Sequence, residues 1–374
     1  MANWQTKKLG EICKIDWGNT NLTKKSYIPN GKYLAVSAAG LDGRIDHFEH
    51  KKGTPVLSAI GANCGVMFYP EEDFTAIKNT ITLTPNSENI DGKFLFQLFN
   101  FIKLPQRGAG QPFISKGDIE SFEVLIPESI DEQHRIVKIL DEVFEKIAKA
   151  KENAEKNLQN SKELFESYLQ SVFTNYGEDW EEKTLKQVSI TFGRGKSKHR
   201  PRNDKKLYGG DYPFIQTGDI RNCDHFINKF SQTYNKVGLA QSKLWPKGTI
   251  CITIAANIAE TGILNFDACF PDSVIGIEVD PGIINIDFVE YLLQSFKVRI
   301  QAKGKGSAQA NINMATFEHE TFPFPPLSEQ KSIVSKLDAL SKQTKKLESI
   351  YKQKLADLEE LKKSVLKKVF EGEL

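Results

Sequence analysis

Seven lysine and arginine side chains fall within the fourteen residues 193–206, GRGKSKHRPRNDKK. They are Arg194, Lys196, Lys198, Arg200, Arg202, Lys205 and Lys206, with His199 among them. Glycines and a proline make the segment a loop. Such a cluster can neutralise several phosphates and release their counterions, or it can be a solvated flexible loop. A second segment, KGKGSAQANIN at 303–313, joins Lys303 and Lys305 to the amides of Gln309, Asn311 and Asn313. Side-chain amides pair bidentately with adenine, and arginine or lysine with guanine. Glycines let a backbone approach closely. The N-terminal half carries a milder version. DWGNTNLTKKSY at 16–27 supplies Asn19, Asn21, Lys24 and Lys25, and QRGAGQPF at 106–113 supplies Arg107 and Gln111. Gln216, in the strand-like run YPFIQT, completes the set of candidate contacts. Each is weak alone. Their force lies in recurring at matching points of two halves.

Catalytic readings fare worse. Gly195-Lys196-Ser197 suggests a phosphate-binding loop, but Ile190 stands where that loop needs glycine. The run PDSVIGIEVD at 271–280 resembles a metal-dependent nuclease core, but Asp280 occupies the place of the lysine. No N/D-P-P-Y/F tetrapeptide, G-x-G-x-x-G or G-x-S-x-G occurs. His47 and His50 are the one closely spaced histidine pair, in the charged stretch DHFEHKK that reads as surface. No catalytic residue and no metal ligand is expected.

The 374 residues suit roughly two or three domains. A hydrophobic share of 40% with 24 phenylalanines supports packed cores, and the net charge of only +2 leaves local clustering as the guide to polyanion binding. The five cysteines are scattered and read as reduced thiols. No apolar run approaches the roughly 18 residues of a membrane span. A cytoplasmic location, with no membrane partner, is the expectation.

The elements that must position these loops come from an internal repeat. IDEQHRIVKILDEV at 130–143 returns as LSEQKSIVSKLDAL at 327–340. Gln133 and Gln330 differ by 330 − 133 = 197, and this offset holds without a gap over residues 132–173, with 14 identities. Neither copy contains proline or glycine, so each predicts one long helix, about 60 Å at ~1.5 Å per residue. Asp131 and Ser328 stand where N-caps belong. Apolar residues spaced alternately three and four make a heptad seam. In the first helix it comprises Val137, Leu140, Phe144, Ile147, Ala154, Leu158, Phe165, Tyr168 and Val172, with Lys151 and Ser161 filling the gaps. In the second it comprises Leu337, Leu340, Leu347, Tyr351, Leu358, Leu361 and Val365, with Ile333, Leu355 and Val369. Each helix needs a partner along one stripe, and the other helix is the economical one.

The repeat continues outside the helices. WQTKKLGEI at 4–12 resembles WEEKTLKQV at 180–188, and GTPVLSAIGANCG at 53–65 echoes GTICITIAANIAETG at 248–262. Short strand-like runs and one apolar helical stretch per half, GKFLFQLFNFI and IDFVEYLLQSF, predict α+β domains with curved sheets. The expected plan is a globular domain at 1–128, a long helix at 129–175, a second globular domain at 176–326 and a long helix at 327–374. The helices are similar and the heads have diverged, so the heads do one kind of job on different targets.

Tryptophan and leucine five apart at the start of each head, the glutamine-bearing glycine-rich loop, and Pro-x-(Leu/Ile)-x-Glu-Gln-x-x-Ile-Val-x-x-Leu-Asp opening a long helix together resemble the specificity subunit of type I restriction–modification enzymes. Residues 325–338 fit the last pattern closely. Around 128–130 the first copy departs from it by one extra residue. The resemblance implies two target-recognition domains, each reading one half of a split, asymmetric sequence in double-stranded DNA. It implies an antiparallel coiled-coil spacer that docks modification subunits, two of them. S-adenosylmethionine would sit on those subunits, and ATP and magnesium on a restriction subunit, leaving no cofactor in this chain. The runner-up is a coiled-coil scaffold with two protein-binding heads.

Overall fold

The computed structural model describes residues 3–86, 88–255, 258–304, 314, 317 and 319–373. It divides into two compact units, one of Met1–Lys156 with Tyr351–Leu374, the other of Asn157–Ile350. Each unit thus holds one head with a stretch of both long helices.

The first unit opens with the strand Trp4–Lys8, which pairs antiparallel with Glu123–Pro127 and so closes the head on itself. A four-stranded sheet follows in the order Cys13–Trp17, Thr80–Pro85, Val56–Ser58, Met67–Phe68. A three-stranded sheet has the order Gly40–Ile45, Tyr33–Ser37, Phe74–Ala76, its last pair parallel. The strands are short, and a register shift between Ala35 and Val36 bends the smaller sheet. The helix Gly92–Phe101 is capped by Asp91, whose carboxylate accepts from the Phe94 amide at 2.7 Å.

The second unit repeats this plan with additions. Glu181–Thr184 pairs antiparallel with Thr321–Phe324. The larger sheet runs Ser189–Arg194, Val274–Val279, Ile250–Thr253, Thr261–Leu264, and gains Phe226–Ile227 at its edge. The smaller runs Gln232–Tyr234, Tyr208–Phe214, Ala268–Cys269, with Leu244–Trp245 added and its middle pair again parallel. The helix Ile286–Ser295 is capped by Asn285. The nuclease-like run is the buried strand Val274–Val279, and Asp280 merely closes the next turn by accepting from the Gly282 amide.

The long helices span Ile130–Thr174 and Leu327–Phe370. Both begin earlier than Asp131 and Ser328 predict. Ser129 accepts from the Glu132 amide at 3.4 Å, and the Pro326 carbonyl receives the amides of Glu329 and Gln330. Asp131 and Glu132 therefore lie in the first turn, favourable to the helix dipole.

The repeated glutamine explains how each helix is aimed. Gln133 is fully buried. Its Oε1 accepts from the Asp91 amide at 2.9 Å, and its Nε2 donates to the carbonyls of Asn89 and Pro127 at 3.1 Å. Gln330 does the same in the second unit, accepting from Asn285 and donating to Ile283 and Pro325. Eight residues on, Asp141 pairs with Lys93 and Asp338 accepts from the Tyr291 hydroxyl, both at 2.7 Å. The repeated polar residues thus fasten each long helix to its head's short helix, the glutamines at the capped end.

In the first unit Ile136, Val137, Leu140 and Phe144 pack with Val365, Leu366, Val369 and Phe370 in one core. Lys362 lies over the Phe144 ring and Lys151 pairs with Glu359 at 2.7 Å, so rising numbers meet falling ones and the helices run antiparallel. In the second unit Phe165, Leu169, Val172 and Phe173 share a core with Val334 and Leu337. Ile147 and Ala154 are buried, and Leu158, Leu340, Tyr351, Leu358 and Val365 are half-buried.

The predicted seam fails at Leu347 and Leu361, which are 38% and 47% exposed, while Ser341 and Thr344 are 9% and 3% exposed. The leucine heptad Leu340–Leu347–Leu361 runs one position off the buried one, a rotation of about 100°. By the 197-residue offset, Ser341 and Thr344 match Phe144 and Ile147, whereas Leu361 matches the exposed Leu164. Thr344 and Ser161 satisfy their hydroxyls on carbonyls of their own helices, which makes burial tolerable. Tyr168 is also displaced from the seam, by the buried Leu169.

All five cysteines are free, and burial pushes the thiols of Cys13 and Cys223 up to about 12, far from nucleophilic. Among the described residues no helix is long and apolar enough to cross a membrane.

Candidate nucleic-acid interface

In the second head the cationic loop follows Ser189–Arg194, an outer strand of the larger sheet. Part of its charge holds the loop in shape. Arg200 donates to the carbonyls of Ser197 and His199 at 2.6 and 2.9 Å. Arg202 pairs with Asp272 at 2.6 Å. Asp204 accepts from the His199 ring at 2.9 Å and from Lys206 at 3.1 Å. The Lys206 amide, His199 and Lys206 together hold that carboxylate at about 2. Arg194, Lys196, Lys198 and Lys205 are exposed and make no ion pair among the described residues. The guanidinium suits the part played by Arg200 and Arg202, because its planar fork holds two carbonyls or a carboxylate in fixed geometry.

Beside the loop opens a cleft of ≈ 740 Å³ lined by Arg202, Asn203, Lys205, Gln216 and Gln232, with Phe214 and Tyr208 as its apolar wall. Gln216 donates to Gln232 at 2.7 Å. Lys243 stands near Lys196 and lies over Trp245, 3.4 Å from the ring centroid; burial, then the Lys196 charge, lower its affinity for a proton. Gln232 and Lys243 escape sequence reasoning because no local pattern marks them, and Asn203 is masked by the cations around it in the same loop. Strand pairing of Phe214 with Gln232 brings the two glutamines together.

Lys305, Gln309, Asn311 and Asn313 lie outside the described residues. Lys303 falls in the helix Lys297–Gly304, and only its backbone is described.

In the first head the predicted contacts serve mainly to fold their loops. Asn19 donates to Glu49 at 2.7 Å, and its Oδ1 accepts from the Asn21 amide. Lys24 pairs with Asp42 at 2.5 Å, and Asp42 also accepts from Tyr27 and Ser37. Burial alone would raise the Asp42 carboxyl, but these three donors bring it below the usual range. Arg107 pairs with Asp118 and its backbone bridges Phe113, forming a narrow hairpin with exposed Gln111 at its tip. Lys25 is exposed and has no ion pair among the described residues. A cleft of ≈ 380 Å³ beside it is lined by Lys24, Asn63, Lys78 and Asn79, the last three again unmarked in sequence. Among the described residues no group of three or more His, Cys, Asp or Glu side chains is placed to hold a metal ion.

Two heads of one topology, each with a polar cleft and basic loops and each fastened to paired helices, define a duplicated recognition protein. Residues 1–157 and 177–359 match the family described as the type I restriction modification DNA specificity domain. The chain belongs to that family: it is a type I restriction–modification specificity subunit with two target-recognition domains. Similar proteins include the MjaVIII specificity subunit of Methanocaldococcus jannaschii, 26% identical over all of this chain and 93% of that one. Another is the EcoDI specificity subunit of Escherichia coli, 25% identical over all of this chain and 89% of that one. The fold is similar to a chain from a solved type I restriction–modification system described for its complex assembly, with TM-score 0.77, 18% identity and full coverage of both chains. It is also similar to the HsdS subunit of Thermoanaerobacter tengcongensis, with TM-score 0.64, 18% identity and coverage of 99% of this chain and 97% of that one.

Proposed function

We propose that this chain is the non-catalytic reader of a type I complex. Each head reads one half of a split, asymmetric sequence in double-stranded DNA. The observation that carries this reading is the contrast between the heads: one β topology is repeated, but in the second head four exposed cations of one loop make no ion pair among the described residues and lie beside a cleft lined by Gln216 and Gln232, whereas in the first head Lys24 and Arg107 are ion-paired. Unlike surfaces on a like scaffold suit unlike half-sites. The paired helices set the number of unread base pairs and dock two modification subunits. Those subunits carry S-adenosylmethionine, and restriction subunits carry ATP and magnesium. The complex acts in the cytoplasm.

The test is a genome-wide methylation map in cells lacking other methyltransferases, with this chain expressed beside the modification subunit of its own operon. Methyladenine at a two-part motif with a constant gap is the expected result. A continuous motif would mean that one head alone reads DNA, and an assembled complex that methylates nothing would overturn the reading.

A further inference from the structure

The cleft of the second head contains a paired amide device that the sequence does not announce. Gln216 lies two residues beyond the strand Tyr208–Phe214, and its backbone amide donates to Asp219 Oδ2 at 2.8 Å. The same carboxylate oxygen accepts from the Ser231 hydroxyl at 3.3 Å, one residue before Gln232. Asp219 therefore fixes both chain segments from which the two glutamines project. Strand pairing fixes Gln232 again, opposite Phe214. Phe214 is in turn stacked on the fully buried Tyr234, with ring centroids 4.1 Å apart. Between the glutamines, Gln216 Nε2 donates to Gln232 Oε1 at 2.7 Å.

That mutual hydrogen bond uses one donor and one acceptor. Among the described residues no hydrogen bond engages the Oε1 of Gln216 or the Nε2 of Gln232, so one acceptor and one donor stay available in the cleft that both residues line. Exchanging the oxygen and nitrogen of both amides leaves the same complement, one acceptor and one donor side by side. Adenine presents the matching pair at its major-groove edge, the N6 donor and the N7 acceptor, whereas guanine presents two acceptors there. The pair is held before any ligand arrives, so little side-chain freedom is lost on binding. Lys205 at the cleft edge, with Lys196 and Lys198 on the same loop, supplies charge for flanking phosphates.

We infer that Gln216 and Gln232 act as one reader of an adenine in the second half-site, with Asp219 as their positioning residue. This rests on the DNA-reading function proposed above and adds the base class and the side chains that select it. The two glutamines divide the work of the single amide that ordinarily contacts adenine, so neither suffices alone. Asp219 touches no base in this arrangement.

The experiment compares methylation maps of the wild-type complex with those of complexes containing Gln216→Ala, Gln232→Ala or Gln232→Glu. The first half-site, read by the other head of the same molecule, reports whether each variant is folded and assembled. The alanine variants are expected to lose roughly 10-fold or more discrimination at one A·T position of one half-site, with every other position unchanged. Gln232→Glu replaces the donor by an acceptor and is expected to shift that position towards cytosine, whose N4 group donates. A motif unchanged in all three variants would overturn the inference and leave the reading of DNA intact. Equal weakening of both half-sites, or loss of all methylation in assembled variants, would overturn it too. A wild-type complex with no two-part motif would remove the proposed function itself.

Discussion

Gln133 and Gln330 show how single side chains aim whole elements. Each occupies all its polar atoms on backbone groups of its own head, at distances of 2.8 to 3.3 Å. Truncation would strand a buried amide and two carbonyls, and one unsatisfied group costs about 1–3 kcal/mol. Gln330→Ala should lower the denaturant midpoint of the second unit and Gln133→Ala that of the first, read by amide exchange of Ile286–Ser295 and Gly92–Phe101. His225 makes a second residue-scale prediction. Its ring nitrogens face Asp287 Oδ1 at 2.9 Å and Glu290 Oε2 at 2.6 Å. Burial pulls this imidazole down, but the two carboxylates more than offset it and raise it from 6.5 to about 9. A raised folded value gives stabilisation that is complete below about 6.5 and lost as pH climbs through about 9. His225→Asn should abolish that alkaline slope in thermal melts between pH 6 and pH 10, and an unchanged slope would count against the clamp. The four loop cations that make no ion pair among the described residues predict a third outcome. Removing Lys198 should reduce the salt slope of DNA binding by about one unit without changing the sequence read.

At the scale of elements, the seam of the second long helix follows the repeat rather than the leucines. Leu347→Lys and Leu361→Lys should change stability by no more than about 0.5 kcal/mol, as exposed substitutions do. Leu337→Ala, in the core of the second unit, should cost about 2–5 kcal/mol. Urea unfolding of the three variants side by side checks this, and equal losses would restore the leucine seam. The sequence marks both long helices, both short ones and the strand-bearing repeats, because proline, glycine and periodicity act locally. It points to the wrong stripe where polar residues are buried. Ser341 and Thr344 carry no hydrophobic signal, and only alignment with Phe144 and Ile147 could have exposed them.

At the scale of the whole molecule, the proposed spacer role of the long helices makes a prediction about their length. Insertion of seven residues at facing positions of both helices keeps the heptad and adds about 10 Å at 1.5 Å per residue. With base pairs about 3.4 Å apart, the unread gap should lengthen by about three base pairs while both half-sites stay the same. Methylation mapping would show this at once. A change within either half-site would contradict the separation of reading from spacing.

The sequence by itself determined the twofold plan, the helices, the α+β character of the heads and the cationic loop, since each is written in contiguous or regularly spaced residues. Only the tertiary structure decided which loop cations are spent on the loop's own carbonyls and carboxylates. Arg200 and Arg202 look like Lys196 and Lys198 in a string of letters, and Asp272 lies 70 residues from the arginine it holds. The same is true of the cleft. Gln216 and Gln232 are sixteen positions apart with no pattern between them, and antiparallel pairing places their amides 2.7 Å from each other. Patterns along the chain report local periodicity, whereas a recognition surface is assembled by register between strands.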